Sequence, residues 1–426
     1  MSEISQQRVY SVAVISDIHA YTASSIAADA TPPSWVTQAE VSRNRNPLRD
    51  LEEYVSAHKI EVDLLLCPGD FSDKADVSGL EYAWDKLQSI ARAMKCKLLI
   101  GAAGNHDLHS RAAGSDPTRV SPSPHAKIRD LIPRFPLPNE AECLRYWSDQ
   151  IAQYADSHCQ VITLNSCASH GYIFESSDEY TKGRFSEEAE AKLLELVEQS
   201  TPRPINILLT HHHPQTITDL TFTDGSRMVR GDRLLNILGS GKYGSWMVIH
   251  GHRHVPHFHA ASGDTDRAYV FSAGSVGVIL STHFYPSRPP NQFYVLQFDL
   301  QEIESRGTGI FGRVNAWNWN LGIGWHPAGE NDPIPAQSGF GNRLPASFLA
   351  DQVASLMKSR ASESGGDVIM LEDDIAKAYP DVAFLLPSER EKFRDCLEQK
   401  GISVGRSPRE KTKLLFACTH ADEGGT

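Results

Sequence analysis

The sequence predicts an α/β protein, and three features point there. Short, nearly all-apolar runs recur along the chain: VYSVAVIS from Val9, VDLLLC from Val62, KLLIGA from Lys97, CQVITLN from Cys159, INILLT from Ile205, WMVIH from Trp246, AYVFSA from Ala268 and FYVLQFDL from Phe293. Such runs, without polar alternation, are expected of strands covered on both faces. Between them lie amphipathic segments with apolar residues at three-and-four spacing, and strands alternating with helices define the class. The third feature is chemical. Five of the strands are followed at once by carboxylate, amide or imidazole side chains, at the strand ends where open α/β sheets bind ligands.

The elements follow in order. The first run has no basic segment before it and leads straight into Ser16 and Asp17, so it reads as a strand and not as a signal peptide. GLEYAWDKLQSIARAMK places Leu80, Ala83, Trp84, Leu87, Ala91 and Met94 on one helical stripe. SEEAEAKLLELVEQS opens with Ser186 as N-cap and has glutamates in the first turn, where the helix dipole favours them. Residues 20–46 and 108–140 are long stretches with little periodicity, and long loops in a compact domain are candidate walls of a site. Residues 301–344, dense in Gly, Asn, Pro and Trp, predict an irregular or hairpin-like connector. From residue 345 helical signals return, with Leu349, Val353 and Leu356 on one face and a capping box from Ser388 to Glu391. The expected organisation is a main domain over 1–300, the connector over 301–344 and a mainly helical accessory region over 345–426.

Composition bounds the function. Of 426 residues, 40% are hydrophobic and 22% charged, as in ordinary globular proteins. The net charge of −12 discourages non-specific binding to nucleic acid, and the accessory region, with nearly balanced charge, is no basic arm. Nucleic acid is therefore a disfavoured partner. The seven cysteines are scattered without a CxxC pair, which suits free thiols in a reducing compartment. No apolar run approaches the roughly 18 residues that span a membrane. A cytoplasmic protein is expected.

The strand ends carry the chemistry. VISDIHA supplies Asp17 and His19; LLLCPGDFSD supplies Asp70 and Asp73; IGAAGNHD supplies Asn105, His106 and Asp107; LLTHHHP supplies His211, His212 and His213; VIHGHRH supplies His252 and His254. Carboxylates, an amide and imidazoles without a thiolate suit Mn, Fe or Zn rather than a structural thiolate zinc site. In DxH and HxH, extended backbone sends residues i and i+2 to one side, so both can reach one ion.

This set, DxH at 17–19, GDxxD at 69–73, GNHD at 104–107, HxP at 212–214 and GHxH at 251–254, resembles the calcineurin-like metallophosphoesterase superfamily over roughly residues 8–300. The resemblance implies a four-layer α/β/β/α sandwich, two facing sheets flanked by helices, with two divalent metal ions at the strand ends. It implies that Asp17, His19 and His254 hold the first ion, that Asn105, His212 and His252 hold the second, and that Asp70 bridges them. His106 would stand beside the scissile phosphate and donate to the leaving oxygen, with Asp73 orienting it through its other ring nitrogen. His212 is taken because the family ligand lies two residues before the proline, with His211 and His213 facing away; a register one residue earlier would make it His211.

Within the superfamily, GDFSD followed by EYAWDKL, and KGRFSEEAEAKLLELVEQS leading into ILLTHHHP, look like the class III cyclic-nucleotide phosphodiesterases and their glycerophosphodiester-hydrolysing relatives. The 108–140 insertion and the region beyond residue 330 depart from that branch. The resemblance thus implies a phosphodiesterase acting on small diesters, against three alternatives: a nuclease working within a complex, a phosphomonoesterase, and a scaffold without catalysis. Arg43, Arg45, His109, Arg111 and Arg119 are candidate substrate contacts. Trp317, Trp319 and Trp325 either stack a base or pack the C-terminal region against the core. The accessory region is expected to serve oligomerisation, to cap the site or to dock a protein partner.

Overall fold

The apolar runs become strands of two large sheets. Strands β1 (Val9–Val14), β2 (Leu64–Cys67) and β3 (Leu98–Gly101) lie parallel, connected through helices α1 (Pro47–Ala57) and α2 (Val77–Ala93). Helices α3 (Ala126–Arg129) and α4 (Glu140–Ser148) lead to the second sheet, with β4 (Ile151–Ala155), β5 (Cys159–Leu164), β6 (Ile205–Leu209), β7 (Trp246–His250), β8 (His257–Ala260) and β9 (Tyr269–Ser272). Helix α5 (Glu187–Gln199) connects β5 to β6, and α6 (Gly231–Leu238) connects β6 to β7. The chain then re-enters the first sheet through β10 (Asn291–Asp299), helix α7 (Leu300–Arg306), β11 (Gly312–Asn320), β12 (Gly324–Pro327) and β13 (Gln337–Phe340). These coordinates are a computed structural model that describes residues 9–23, 30–39, 41–112, 123–173, 177, 181–216, 225–261, 268–280, 289–307, 309–406 and 414–419.

Among the described residues the first sheet has seven strands, ordered β12-β11-β10-β1-β2-β3 with β13 on β11, and the second has six, ordered β4-β5-β6-β7-β9-β8. Side-chain alternation explains the layers. Val161, Ile207, Ile249 and Phe271 join Val12, Val14, Leu65 and Leu296 of the first sheet in one buried cluster. Their neighbours Ile162, Leu208, Val248 and Val270 pack instead with Leu193, Val197, Leu234 and Leu238 of helices α5 and α6. The stripe predicted for α2 is buried, with Asp76 rather than a hydroxyl residue capping the helix. Ser186 caps α5 as expected, accepting from Ala189 N at 3.0 Å.

Of the two forms expected for residues 301–344, the hairpin-like one holds and the irregular one does not: β11 and β12 form a hairpin and, with β13, extend the first sheet in register, Trp319 opposite Trp325 and Gly312 opposite Phe340. The three tryptophans neither reach the candidate site nor pack the C-terminal region. Trp319 Nε1 donates to Asp50 Oδ2 and Trp325 Nε1 to Pro47 O, both at 2.9 Å, fastening the sheet to α1, while Trp317 stacks on Phe293 with ring centres 4.6 Å apart. Gly and Asn mark the hairpin turns, and their density hid the strands between them.

Helices supply most of the regular structure from residue 345, as expected, and a three-stranded sheet accompanies them. The region runs α8 (Ala346–Ser364), β14 (Val368–Leu371), α9 (Glu372–Ala378), a 3-10 turn (Pro380–Phe384), α10 (Pro387–Gln399), β15 (Ile402–Arg406) and β16 (Leu414–Cys418), with antiparallel strands ordered β14-β16-β15. Helix, strand, two helices and a two-stranded ribbon in that order make a winged helix–turn–helix arrangement with a core of its own. Helix α10 starts before the expected capping box, and Glu389 accepts from Leu386 N at 3.0 Å. The turn docks on the first sheet: Gly339 N donates to Leu385 O at 2.9 Å and Arg306 pairs with Asp381 at 2.8 Å. Pro387, Ser388, Glu391 and Arg394 at the start of α10 face a cleft of about 440 Å³ shared with β8 and residues 330–337.

Candidate metal centre

The five strand-end loops meet at one point between the sheets. Asp17 and His19 follow β1, Asp70 and Asp73 follow β2, Asn105 and His106 follow β3, His211 follows β6, and His252 and His254 follow β7. Local backbone serves this convergence. Asp17, His19, Asp70, His252 and His254 all have positive φ, between 48° and 76°, a conformation that costs non-glycine residues on the order of 1 kcal/mol or more each and recurs at functional sites. Gly104 and Gly251 are required for a second reason: a Cβ at either would overlap the carboxylate of Asp70 or of Asp17. Phe71, next to Asp70, anchors its loop by edge-to-face contacts with Trp84 and Phe135 at 5.6 and 5.8 Å.

Two donor groups share Asp70. On one side His19 Nε2 lies 3.2 Å from Asp70 Oδ2, and His254 Nε2 lies 3.3 Å from Asp17 Oδ1. On the other, His211 Nε2 lies 3.4 Å from the same Asp70 Oδ2 and 3.1 Å from Asn105 Oδ1, while His252 Nδ1 is 3.0 Å from Asn105 Oδ1 and 3.2 Å from His211 Nε2. The Nε2 atoms of His19 and His254 make no hydrogen bond despite the short separations. Bonds of 2.0–2.2 Å to one ion would hold adjacent donors about 3.0–3.5 Å apart. Spacing, burial and the oxygen–nitrogen donor set thus fit a metal centre.

The structure shifts one expected residue. His211, not His212, meets Asp70 and Asn105. His211 Nδ1 donates to Pro68 O at 2.9 Å, which fixes the tautomer with a bare Nε2 toward the centre. His212 Nδ1 lies 3.0 Å from Ser166 Oγ, while its Nε2 is buried without a hydrogen-bond partner and the ring stays within reach of an ion shared with His211 and His252. Neither His212 nor His213 reaches a rim, since all three histidines are 0% exposed. The reason is where β6 ends. Ladder pairing stops at Leu209, so Thr210 and His211 already belong to the turn, and counting back from the proline misplaces the ligand by one.

His106 stands above the centre with its side chain 31% exposed. Its Nδ1 donates to Asp73 Oδ1 at 3.0 Å, as expected, and the same oxygen lies 3.4 Å from His19 Nδ1. Asp73 thereby orients two imidazoles, a sharing the motif does not reveal. Burial raises its carboxyl, but hydrogen bonds from His106 and His19 outweigh that and hold it well below the usual range. Burial lowers His19 and His211, and the Asp70 carboxylate more than offsets it, to about 10 and about 9. A cation must displace those protons, so metal uptake strengthens as pH rises.

Sequence reasoning gave Asp107 no role, yet its carboxylate joins two of the loops. Oδ2 accepts from Asp70 N and Gly104 N at 3.0 and 2.9 Å, and Oδ1 from Ser72 N at 2.9 Å. Its place inside GNHD was the only signal. Ser275, whose Oγ donates to Asp17 O at 2.7 Å, gave none. Of the candidate substrate contacts, Arg111 borders a cleft of about 300 Å³ with His106, His252, Arg253 and His254. Arg43 is a surface residue 3.7 Å from Glu53, Arg45 and His109 are exposed outside that lining, and Arg119 lies outside the described residues.

His170, also in the cleft lining, donates from Nε2 to Lys182 O at 2.8 Å. Burial pushes its imidazole down to about 4, the backbone contact opposing weakly. An unfolded imidazole titrates near 6.5, so below that pH the unfolded chain binds the extra proton and stability is lost as pH falls toward 4, by about 3 kcal/mol for this group. Urea midpoints measured from pH 7.5 to 4.5 should fall less steeply in His170→Asn than in the parent chain. Parallel profiles would remove His170 from the account.

The family model described as calcineurin-like phosphoesterase matches residues 10–256. The chain belongs to the calcineurin-like phosphoesterase family. The family assignment agrees with the fold described above and with a donor cluster that could hold metal. It is similar in structure to a purple acid phosphatase from yellow lupin seeds (TM-score 0.47, 13% identity, 78% of this chain covered) and to a dimetal phosphatase from Danio rerio (0.41, 13%, 74% of this chain and 100% of that one). A third similar structure is the phosphopantetheinyl hydrolase of Mycobacterium tuberculosis (0.32, 13%, 66% and 94%). The chain spans 54% of the lupin enzyme. No curated protein matches the sequence. No helix among the described residues is long and apolar enough to cross a membrane.

Proposed function

We propose that this phosphoesterase binds two divalent cations, drawn from Mn, Fe or Zn, and hydrolyses small phosphodiesters, cyclic nucleotides among them. The observation that carries the pair of ions is Asp70 Oδ2, which stands within 3.4 Å of one imidazole from each donor group. In this reading Asp17, His19, Asp70 and His254 hold one cation, and Asp70, Asn105, His211 and His252 the other. When bound, the pair supplies charge neutralisation at the phosphoryl oxygens and lowers the pKa of water at the centre. The chain does the rest. Asn105 and the imidazoles fix the donor geometry, Pro68 O and Asp73 set the tautomers of His211 and His19, and His106 gives a proton to the departing alcohol from Nε2. The cleft of about 300 Å³ suits a small ester, and the net charge of −12 supports the small-molecule reading over a nuclease. Seven free cysteines support a reducing, cytoplasmic location.

The test is a substrate panel on the chelator-stripped and Mn²⁺-reloaded protein. Bis-p-nitrophenyl phosphate should be hydrolysed only after reloading, and cyclic nucleotides faster than single-stranded DNA. Turnover of p-nitrophenyl phosphate with a silent diester would replace the reading with a monoesterase.

A further inference from the structure

A line of hydrogen bonds crosses from the extension of the first sheet to the metal centre. Asp332, between β12 and β13, accepts from Asn318 Nδ2 at 2.7 Å. Asn318 Oδ1 accepts from Gln292 Nε2 at 2.8 Å, the two amides facing each other across the β10–β11 ladder. Gln292 Oε1 accepts from the Tyr294 hydroxyl at 2.9 Å, and the Tyr294 oxygen accepts from Gly274 N, just beyond β9 in the second sheet, at 2.8 Å. A carboxylate only accepts and a backbone N–H only donates, so the two ends fix the orientation of the hydroxyl and both amides between them. Gln292 and Tyr294 are fully buried, where apolar side chains would pack without needing partners. The far end of the line supports ligands of one donor group. Ser275 Oγ donates to Asp17 O at 2.7 Å, Val276 N to Ser16 O at 2.9 Å, and Ser272 Oγ to Val255 O, next to His254, at 2.8 Å. Gly274 lies tightly among these supports: a Cβ there would stand 2.8 Å from Pro256 Cγ and 2.9 Å from the Tyr294 oxygen. None of these bonds reaches the loops that carry Asn105 and His211.

We infer that Tyr294 is a positioning residue for the cation assigned to Asp17 and His254, and that Gln292, Asn318 and Asp332 act through it. The hydroxyl holds Gly274, and the segment around Gly274 fixes the backbone on either side of the two ligands. Residues 301–344 thereby serve the metal centre as well as widening the sheet. Groups that orient metal ligands from outside contribute roughly 10–100-fold to affinity, and a group acting one contact further out contributes less. The effect is selective, because the supported loops carry Asp17 and His254 while Asn105 and His211 stand on others. This deepens the two-cation reading and rests on it.

The test reads each cation alone, by calorimetric titration of chelator-stripped protein with Mn²⁺. His211→Ala leaves the site of Asp17 and His254, and His254→Ala leaves the other. Tyr294→Phe keeps the ring and removes the hydroxyl. It should raise the Mn²⁺ Kd roughly fivefold or more in the His211→Ala background and about twofold at most in the His254→Ala background. Asn318→Asp sets two carboxylates against each other and should act in the same direction. Adding Asp332→Asn should return the Kd to that of the His211→Ala protein, because carboxylate and amide have then exchanged places and Gln292 keeps its acceptor. This rescue separates positioning from damage to the core. Equal losses in the two backgrounds, no loss in the first, or an Asn318→Asp defect that Asp332→Asn leaves unrepaired, would overturn the proposal. A parent chain that binds a single equivalent of Mn²⁺, still weakened by Tyr294→Phe, would strike the two-cation reading and uphold the role of Tyr294.

Discussion

Asp70→Asn is expected to reduce metal-dependent turnover on the order of 10³-fold or more, because it removes the one carboxylate common to both donor groups. The amide keeps the size and an oxygen that can still accept from His106 N, now at 2.8 Å, so the loop has reason to stay folded. What disappears is the negative charge facing His19 and His211. Metal content measured by plasma mass spectrometry should fall in the same protein, with the far-ultraviolet spectrum unchanged. The histidine triplet gives a companion comparison. His211→Ala should lose about one equivalent of metal, whereas His212→Ala, which removes a contact to Ser166, should retain both. Activity within tenfold of the parent in Asp70→Asn would end the bridged two-ion reading, and metal loss confined to His212→Ala would restore the register two residues before the proline.

The second large effect is expected at His106. Its Nδ1 is committed to Asp73 and its ring borders the cleft, which leaves Nε2 for the substrate. General acids of this kind contribute about 10²–10⁴-fold, and the contribution shrinks when the leaving group needs no proton. His106→Ala should therefore lower kcat on an alkyl diester by about 10²–10³-fold but on bis-p-nitrophenyl phosphate by roughly tenfold or less, because nitrophenolate departs unassisted. Metal content should stay at the parent level, which separates this effect from that of Asp70. Asp73→Asn should show both signatures in weaker form, since Asp73 also supports His19. Equal losses for good and poor leaving groups would make His106 a binding residue and not a proton donor.

Much of this was legible before any coordinates. The five strand-end motifs are local: each needs a strand, a turn and side chains within a few residues, so the chain order alone pointed to the centre and its chemistry. Asp17, His19, Asp70, Asn105, His252 and His254 come together where the motifs place them, as do His106 and Asp73. The buried stripe of α2 and the Ser186 cap were equally local.

Other features depended on long-range contacts. The end of β6 is set by pairing with β5 and β7, and it decides that His211 and not His212 faces the centre. Residues 301–344 became strands because β10 offered a partner and α1 a surface for Trp319 and Trp325, gains that no local propensity records. Strands of four or five residues in the C-terminal unit carry too few side chains to show a period, and only their pairing reveals a winged helix–turn–helix. The approach of Arg253 to the cleft rests on two left-handed residues held by the surrounding fold. The sequence by itself determined which chemistry this protein can perform, because metal ligands are written in short motifs. Tertiary structure decided which of three histidines faces the centre and which arginines reach the cleft, because backbone direction at a strand end depends on neighbours distant in the chain.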